Sequence, residues 1–154
     1  MVPLHLSALQ YKAWRSFHLI RTRLLRHLVS RLNKHSGLTE AEYIILIALF
    51  ESEKAVLRPK ELSLVLGWEI SRLSHQITRM EKSGLVKREV DKNDSRRYQI
   101  KISALGKQII QKAFPLQEKE VKHCFGDVLS DHQLASLIEI SEAICKHLDE
   151  KHAD

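Results

Sequence analysis

Between residues 59 and 102 the apolar pattern of the chain changes period once, and that change narrows the folds open to it. Up to Ser83 the apolar residues recur every three or four positions, as on a helix. From Val86 they recur every second position, as on a strand. Gly84 stands at the switch. On the helical side, Pro59 suits the first turn of a short helix, because its missing N–H has no partner there anyway. Leu62 and Leu66 face inward and Gly67 ends the helix. A further helix, roughly Glu69 to Ser83, carries Ile70, Leu73, Ile77 and Met80 as its apolar stripe. Two helices joined by a tight turn at Gly67 match a helix-turn-helix. On the strand side, Val86, Arg88 and Val90 alternate with Lys87 and Glu89, and Tyr98, Ile100 and Ile102 alternate with Gln99 and Lys101. The polar stretch Asp91 to Arg97 between them predicts a turn, hence a β-hairpin with a charged tip.

The flanks read as helices. Residues 4–34 form one long run with apolar positions at Leu6, Leu9, Trp14, Phe17, Leu24, Leu28 and Leu32, ending near Gly37. Thr39 and Glu42 make a capping box for a second helix, whose buried face is predicted at Tyr43, Leu46, Leu49 and Phe50. Ser103 caps a helix from about Ala104 to Phe125, with a kink expected at Pro115. Ser130 and Gln133 make another capping box, for a last helix to about His147 with Leu134, Leu137, Ile138, Ile144 and Leu148 facing inward. The fold class is therefore mainly α with a small β-hairpin wing. A winged helix-turn-helix spans 38–103, and helical regions span 1–37 and 104–154.

Net charge is +6 and is unevenly spread. Residues 1–37 hold seven Lys/Arg and no acid, residues 58–108 hold twelve bases and six acids, and residues 109–154 hold five bases and nine acids. A basic segment beside acidic ones suggests a local footprint for a polyanion. Opposite the apolar stripe of the helix after Gly67 stand Ser71, Arg72, His75, Gln76 and Arg79, residue types suited to base edges and phosphates in a major groove. The competing reading of these residues is a solvated polar face. At the hairpin tip, Lys92, Arg96 and Arg97 can reach phosphate or a narrow minor groove, with Asp91 and Asp94 bracing them. The competing reading there is a solvated turn with surface ion pairs.

Taken together, residues 38–106 resemble the MarR family of winged-helix regulators. The resemblance is carried by Leu38-Thr39, Pro59-Lys60-Glu61-Leu62, Ser71-Arg72-Leu73-Ser74-His75-Gln76, Met80-Glu81-Lys82-Ser83-Gly84-Leu85-Val86, Asp91-Lys92-Asn93-Asp94-Ser95-Arg96 and Ile102-Ser103-Ala104-Leu105-Gly106. Lys92 stands where proline is common and Ser103 where threonine is usual. The resemblance implies a homodimer built from the helical regions 1–37 and 104–154, set on a pseudo-palindromic double-stranded operator. It implies a transcriptional regulator, commonly a repressor, released by a small anionic or phenolic effector. The effector pocket is expected near Phe17, His18, Arg21 and Tyr43, the alternative being plain core packing. Winged-helix modules that bind protein instead of DNA, and redox- or zinc-sensing regulators of the same fold, are the other readings.

Other chemistry has little to stand on. Nine histidines are scattered without CxxC, HxxxH or HExxH spacing, so no metal or cofactor is expected. Cys124 and Cys145 do not make a disulfide framework, and a reduced, cytoplasmic setting is expected. No Gly-rich phosphate loop or nucleophile elbow suggests an enzyme. The longest apolar run, Tyr43 to Phe50, is too short to span a bilayer, and no membrane partner is expected.

Overall fold

A computed structural model of the chain describes residues 5–91 and 94–151, without the side chains of residues 91 and 94–97. In chain order the elements are α1 (Ala8–Ser36), α2 (Glu40–Glu51), β1 (Val56–Leu57), α3 (Pro59–Leu66), α4 (Ile70–Lys82), β2 (Val86–Asp91), β3 (Asp94–Ile102), α5 (Ala104–Val121), a π-helical turn (Lys122–Gly126) and α6 (Asp131–Lys151). They fall into two compact units, Met1–Glu118 and Lys119–Asp154. Among the described residues no helix is long and apolar enough to cross a membrane.

Local signals set most of these boundaries. Thr39 Oγ1 accepts the amide of Glu42 at 3.3 Å, and the Glu42 carboxylate accepts the amide of Thr39 at 2.8 Å. Ser130 and Gln133 repeat the arrangement ahead of α6. The long first helix starts later than its periodicity suggests. Its cap is Ser7 with Gln10 reciprocating, at 3.2 and 2.8 Å, so Leu6 precedes the helix. The helix-turn-helix is closed twice by the same device. After α3, Gly67 takes φ +62°, its N–H donates to Leu64 O, and the next amide, Trp68, donates to Ser63 O. After α4, Gly84 takes φ +75°, its N–H donates to Glu81 O, and Leu85 N–H donates to Met80 O. Both are Schellman ends, which need a left-handed residue and hence favour glycine.

The core of the first unit forms around α2, which touches α1, α3, α4, β1 and β3. Ile45, Leu46 and Leu49 of α2 are fully buried. Tyr43 and Phe50, expected inside, lie half-buried at the rim. A helix surrounded by neighbours has no solvent face, so its apolar residues carry little directional information. Leu62 of α3, Leu73, Ile77 and Met80 of α4, and Ile100 and Ile102 of β3 complete the core, with Leu32, Leu38 and Ile110. Ile70 was expected on the buried stripe of α4 and is instead 54% exposed. It occupies the first helical turn, beyond the reach of the core.

The sheet has order β1-β3-β2, antiparallel throughout. β3 begins at Asp94, pairing with Asp91, so residues 95–97 belong to a strand and not to the polar turn expected over Asp91 to Arg97. Ladder pairing of the backbone overrides the turn-like composition of that stretch. Val90, expected to alternate inward, is exposed near the distal end. β1 has no counterpart in the sequence pattern. Its two residues pair with Lys101 and Ile100, too short a run to show a period.

α5 runs through Pro115 without interruption and passes into the π-helical turn at Lys122. It therefore ends before the expected Phe125. In α6, residues Leu137, Ile138, Ile144 and Leu148, expected to face inward, are exposed, and Leu134 is half-buried. α1 likewise exposes Leu9, Trp14, Phe17 and Ile20, and only Leu32 near its end is buried.

The junction of wing and α5 depends on a close approach. Ser103 Oγ donates to Gly84 O at 2.6 Å and accepts the amide of Gly106 at 2.9 Å, tying the end of α4 to the start of α5. A Cβ on Gly106 would lie 2.2 Å from Leu85 O and 3.1 Å from both the Ile102 and Leu46 side chains. Gly106→Ala should therefore destabilise the chain by about 2 kcal/mol or more through forced backbone displacement. Gly126→Ala, where the new Cβ meets only Lys122 at 3.8 Å, should be close to neutral. Urea midpoints of the two variants, with unchanged m-values, check the contrast.

Candidate nucleic-acid interface

α4 is buried along Leu73, Ile77 and Met80, and the rest of its circumference is exposed or half-buried. At 100° per residue its remaining positions divide into two flanks. One flank carries Arg72, His75, Gln76 and Arg79. The other carries Ser74, Thr78 and Glu81.

The second flank holds the wing. Arg88 of β2 reaches α4 with both ends of its guanidinium. Nη1 donates to Glu81 Oε2 at 2.5 Å, and Nη2 donates to Thr78 Oγ1 at 2.9 Å and to Ser74 O at 3.4 Å. The Arg88 backbone N–H donates to the other Glu81 oxygen at 3.1 Å. The Tyr98 ring of β3 lies 5.4 Å from the same guanidinium. Side-chain exposures of 26% for Arg88 and 37% for Glu81 leave the pair partly screened by water. Several charge-assisted bonds from one planar group nevertheless fix orientation as well as distance. Farther out, Lys101 pairs with Glu89 across the ladder at 3.1 Å. Sequence reasoning placed Arg88 only in the strand alternation. Glu81 and Arg88 seven residues apart, with the helix end between them, were the available signal.

The first flank is open. Arg72, His75, Gln76 and Arg79, all expected there, line a concavity of about 460 Å³ together with Trp68 and Ala41. Ser71, exposed on the first turn, is not among its walls. Trp68 is the residue that the sequence reading did not pick out. It follows the helix-ending Gly67 and sits four residues before Arg72, whose Cζ lies 3.9 Å from the Trp68 ring centroid. An aromatic directly after a helix-ending glycine and four residues before an arginine was the legible sign. The concavity thus combines two guanidinium groups, an imidazole, an amide and an aromatic wall, a set that donates hydrogen bonds to acceptor-rich surfaces.

The remaining expected residues are distributed as follows. Lys92 lies outside the described residues, as do the side chains of Arg96, Arg97, Asp91 and Asp94; the backbone of the last four belongs to β2 and β3. Phe17 and His18 sit with Trp14 in an aromatic cluster, Trp14 and His18 meeting edge-on at 4.3 Å between centroids. Arg21 is exposed on the same helix. Tyr43 is half-buried against the core. Burial raises its pKa first, and the Glu51 and Glu118 carboxylates add to the rise, so it stays a neutral O–H donor at neutral pH. Among the described residues no three His, Cys, Asp or Glu side chains are grouped to hold a metal ion. Cys124, half-buried in the π-helical turn, and Cys145, exposed on α6, are free thiols.

A family model described as transcriptional regulator SarA/Rot matches residues 27–113, which contain α2 to β3 and parts of α1 and α5. The crystal structure of AbsC, a MarR family transcriptional regulator from Streptomyces coelicolor, superposes with a TM-score of 0.86 at 34% identity, covering 96% of this chain and 99% of AbsC. Sco3205, a MarR family transcriptional regulator from the same organism solved in complex with DNA, gives a TM-score of 0.88 at 32% identity, covering 95% of this chain and 92% of Sco3205. The transcriptional repressor MprA of Escherichia coli K12 is 26% identical over 143 residues, 88% of this chain and 81% of MprA.

The brace between wing and α4 makes its own prediction. Arg88→Met should lower global stability by only about 1 kcal/mol, because the pair is partly solvated. Amide-exchange protection in β2 and the outer part of β3 should fall disproportionately, since the hairpin loses its tie to the helix. Unchanged protection in those strands would mean that the ladder alone holds the wing.

Proposed function

The chain belongs to the MarR family of winged-helix transcriptional regulators, and from that premise we propose that it binds a pseudo-palindromic double-stranded operator as a homodimer and represses transcription there. The observation that carries this reading is the open flank of α4. A helix buried on one side presents Arg72, His75, Gln76 and Arg79 on another, around a concavity with no charge-neutralising acid among its walls. Such a surface fits the acceptor-rich major groove, where Arg matches guanine and Gln matches adenine. Kinship supports it. Sco3205 was solved with DNA, and MprA is a repressor.

The dimer follows from the apolar surface of each unit. Trp14, Phe17 and Ile20 on α1, and Ile138, Ile140 and Ile144 on α6, are each more than half exposed in the single chain. Large apolar side chains exposed in this number mark an interface. Residues 1–37 are strongly basic and residues 109–154 are net acidic, so segments from two copies attract as well as pack. In the wing, Arg96 is assigned to the flanking minor groove with Asp94 bracing it, and Lys92 and Arg97, with Asp91 beside them, to phosphate or the same groove, on the strength of the sequence. Phe17, His18, Arg21 and Tyr43 are assigned to a small anionic or phenolic effector that releases the operator. The aromatic cluster on α1 and the neutral Tyr43 donor support that assignment. With DNA as its partner, we assign the protein to the cytoplasm.

Two measurements test the reading. Light scattering at micromolar concentration should return twice the 17.9 kDa chain mass; a clean monomer that still binds its operator tightly would exclude the dimer. Selection of bound sites from random DNA should then yield a two-fold symmetric sequence. On that sequence Gln76→Ala should cost about 1–3 kcal/mol and relax preference at particular base pairs. Arg96→Ala should weaken selected and random DNA alike and flatten the salt dependence by up to about two phosphate contacts per dimer. Failure to select any sequence, with the protein folded and dimeric, would remove DNA binding from the account.

A further inference from the structure

Arg72 is both a wall of the α4 concavity and the guanidinium that rests on Trp68, with 3.9 Å between Cζ and the ring centroid. At that distance the guanidinium sits over the indole ring in cation–π contact, a placement that restrains the Arg72 side chain. The indole is itself held. Its backbone N–H donates to Ser63 O at 3.1 Å, its carbonyl accepts Ser63 Oγ at 2.6 Å, and Gly67 before it is locked in the left-handed region. Its ring packs against the core. Trp68 is thus a platform fixed to the turn of the helix-turn-helix, and Arg72 lies on it before any ligand arrives.

We propose that Trp68 is a positioning residue that sets the Arg72 guanidinium for paired hydrogen bonds to a single guanine, so that specificity at that base pair belongs to the Trp68–Arg72 pair. The inference rests on the reading of α4 as the helix that enters the major groove. A phosphate contact needs charge within reach and tolerates a mobile side chain. Bidentate recognition of guanine O6 and N7 needs the plane of the guanidinium set correctly, and a stacked arginine has already given up the rotamer freedom that would otherwise be lost on binding. His75 and Gln76, on the same concavity, have no such platform among the described residues and adapt to neighbouring bases.

The test uses the full chain and the site it selects from random DNA. Affinities are measured for that site and for copies in which each G·C pair is changed singly to A·T, with the parent, Arg72→Ala, Trp68→Leu, Trp68→Phe and the Arg72→Ala/Trp68→Leu double variant. Thermal unfolding confirms that each is folded at the assay temperature. The parent should prefer guanine at one pair of each half-site by about tenfold or more, and Arg72→Ala should lose that preference at that pair alone. Trp68→Leu should lose most of the same preference, Trp68→Phe should keep most of it, and in the Arg72→Ala background Trp68→Leu should change discrimination no further. A merely structural role for Trp68 predicts instead a uniform loss on all sequences with discrimination intact, and that outcome overturns the inference while leaving the reading of α4 standing. Independent effects of Trp68→Leu and Arg72→Ala on discrimination overturn it equally. A folded parent that selects no sequence overturns both.

Discussion

Leu73, Ile77 and Met80 expose 1% or less of their surface, and that stripe fixes the rotation of α4 about its own axis. The proposed reading of the duplex depends on it. With those three positions inside, helical geometry sends Arg72, His75, Gln76 and Arg79 to one flank and Ser74, Thr78 and Glu81 to the other. A roll of α4 by one residue would exchange donors for apolar groups and would detach the wing. The burial of three large side chains, each contributing roughly 1.5–3 kcal/mol, makes such a roll costly. α4 is also anchored at both ends by left-handed glycines, Gly67 and Gly84, so rotation and axial position are set together.

Under the proposed reading, the two flanks divide the work between structure and recognition. Glu81, Thr78 and Ser74 are consumed by Arg88, which ties β2 to the helix. The wing therefore leaves α4 from the side opposite the concavity and does not cover it. Its inner end is secured separately, by Ser103 joining Gly84 to Gly106. The strand ladder, the Arg88 brace and the Ser103 bridge hold the hairpin at three places.

Outside the winged-helix core, burial is incomplete in a way that the core is not. α6 has no buried residue, and the first half of α1 exposes aromatic and aliphatic side chains together. Long helices whose apolar stripes stay exposed are stabilised when something covers the stripe. Two copies of the chain supply that cover under the proposed reading, and the spacing of two α4 helices on a duplex would then be set by these helices and not by the winged-helix core itself.

The sequence by itself determined what depends on bonds spanning a few residues and on simple periodicity. The capping boxes at Thr39–Glu42 and Ser130–Gln133 close over three residues, the glycine ends at Gly67 and Gly84 over five, and the switch of period at Gly84 is visible directly. From these the order of elements, the helix-turn-helix and the wing follow, and so does the composition of the recognition flank, since a stripe of known phase implies its opposite. Tertiary structure alone decided how far the core reaches and which polar residues are spent on it. Ile70 satisfies the period of the α4 stripe but lies past the core, because burial depends on neighbours and not on phase. β1 exists only because residues 56 and 57 meet β3 about forty residues later, and β3 extends to Asp94 only because β2 pairs with it. Arg88 and Trp68 carry only faint signs in the sequence, a spacing to Glu81 and a place between Gly67 and Arg72. One became a brace and the other a platform when the fold carried Glu81 and Arg72 within a few ångströms of them.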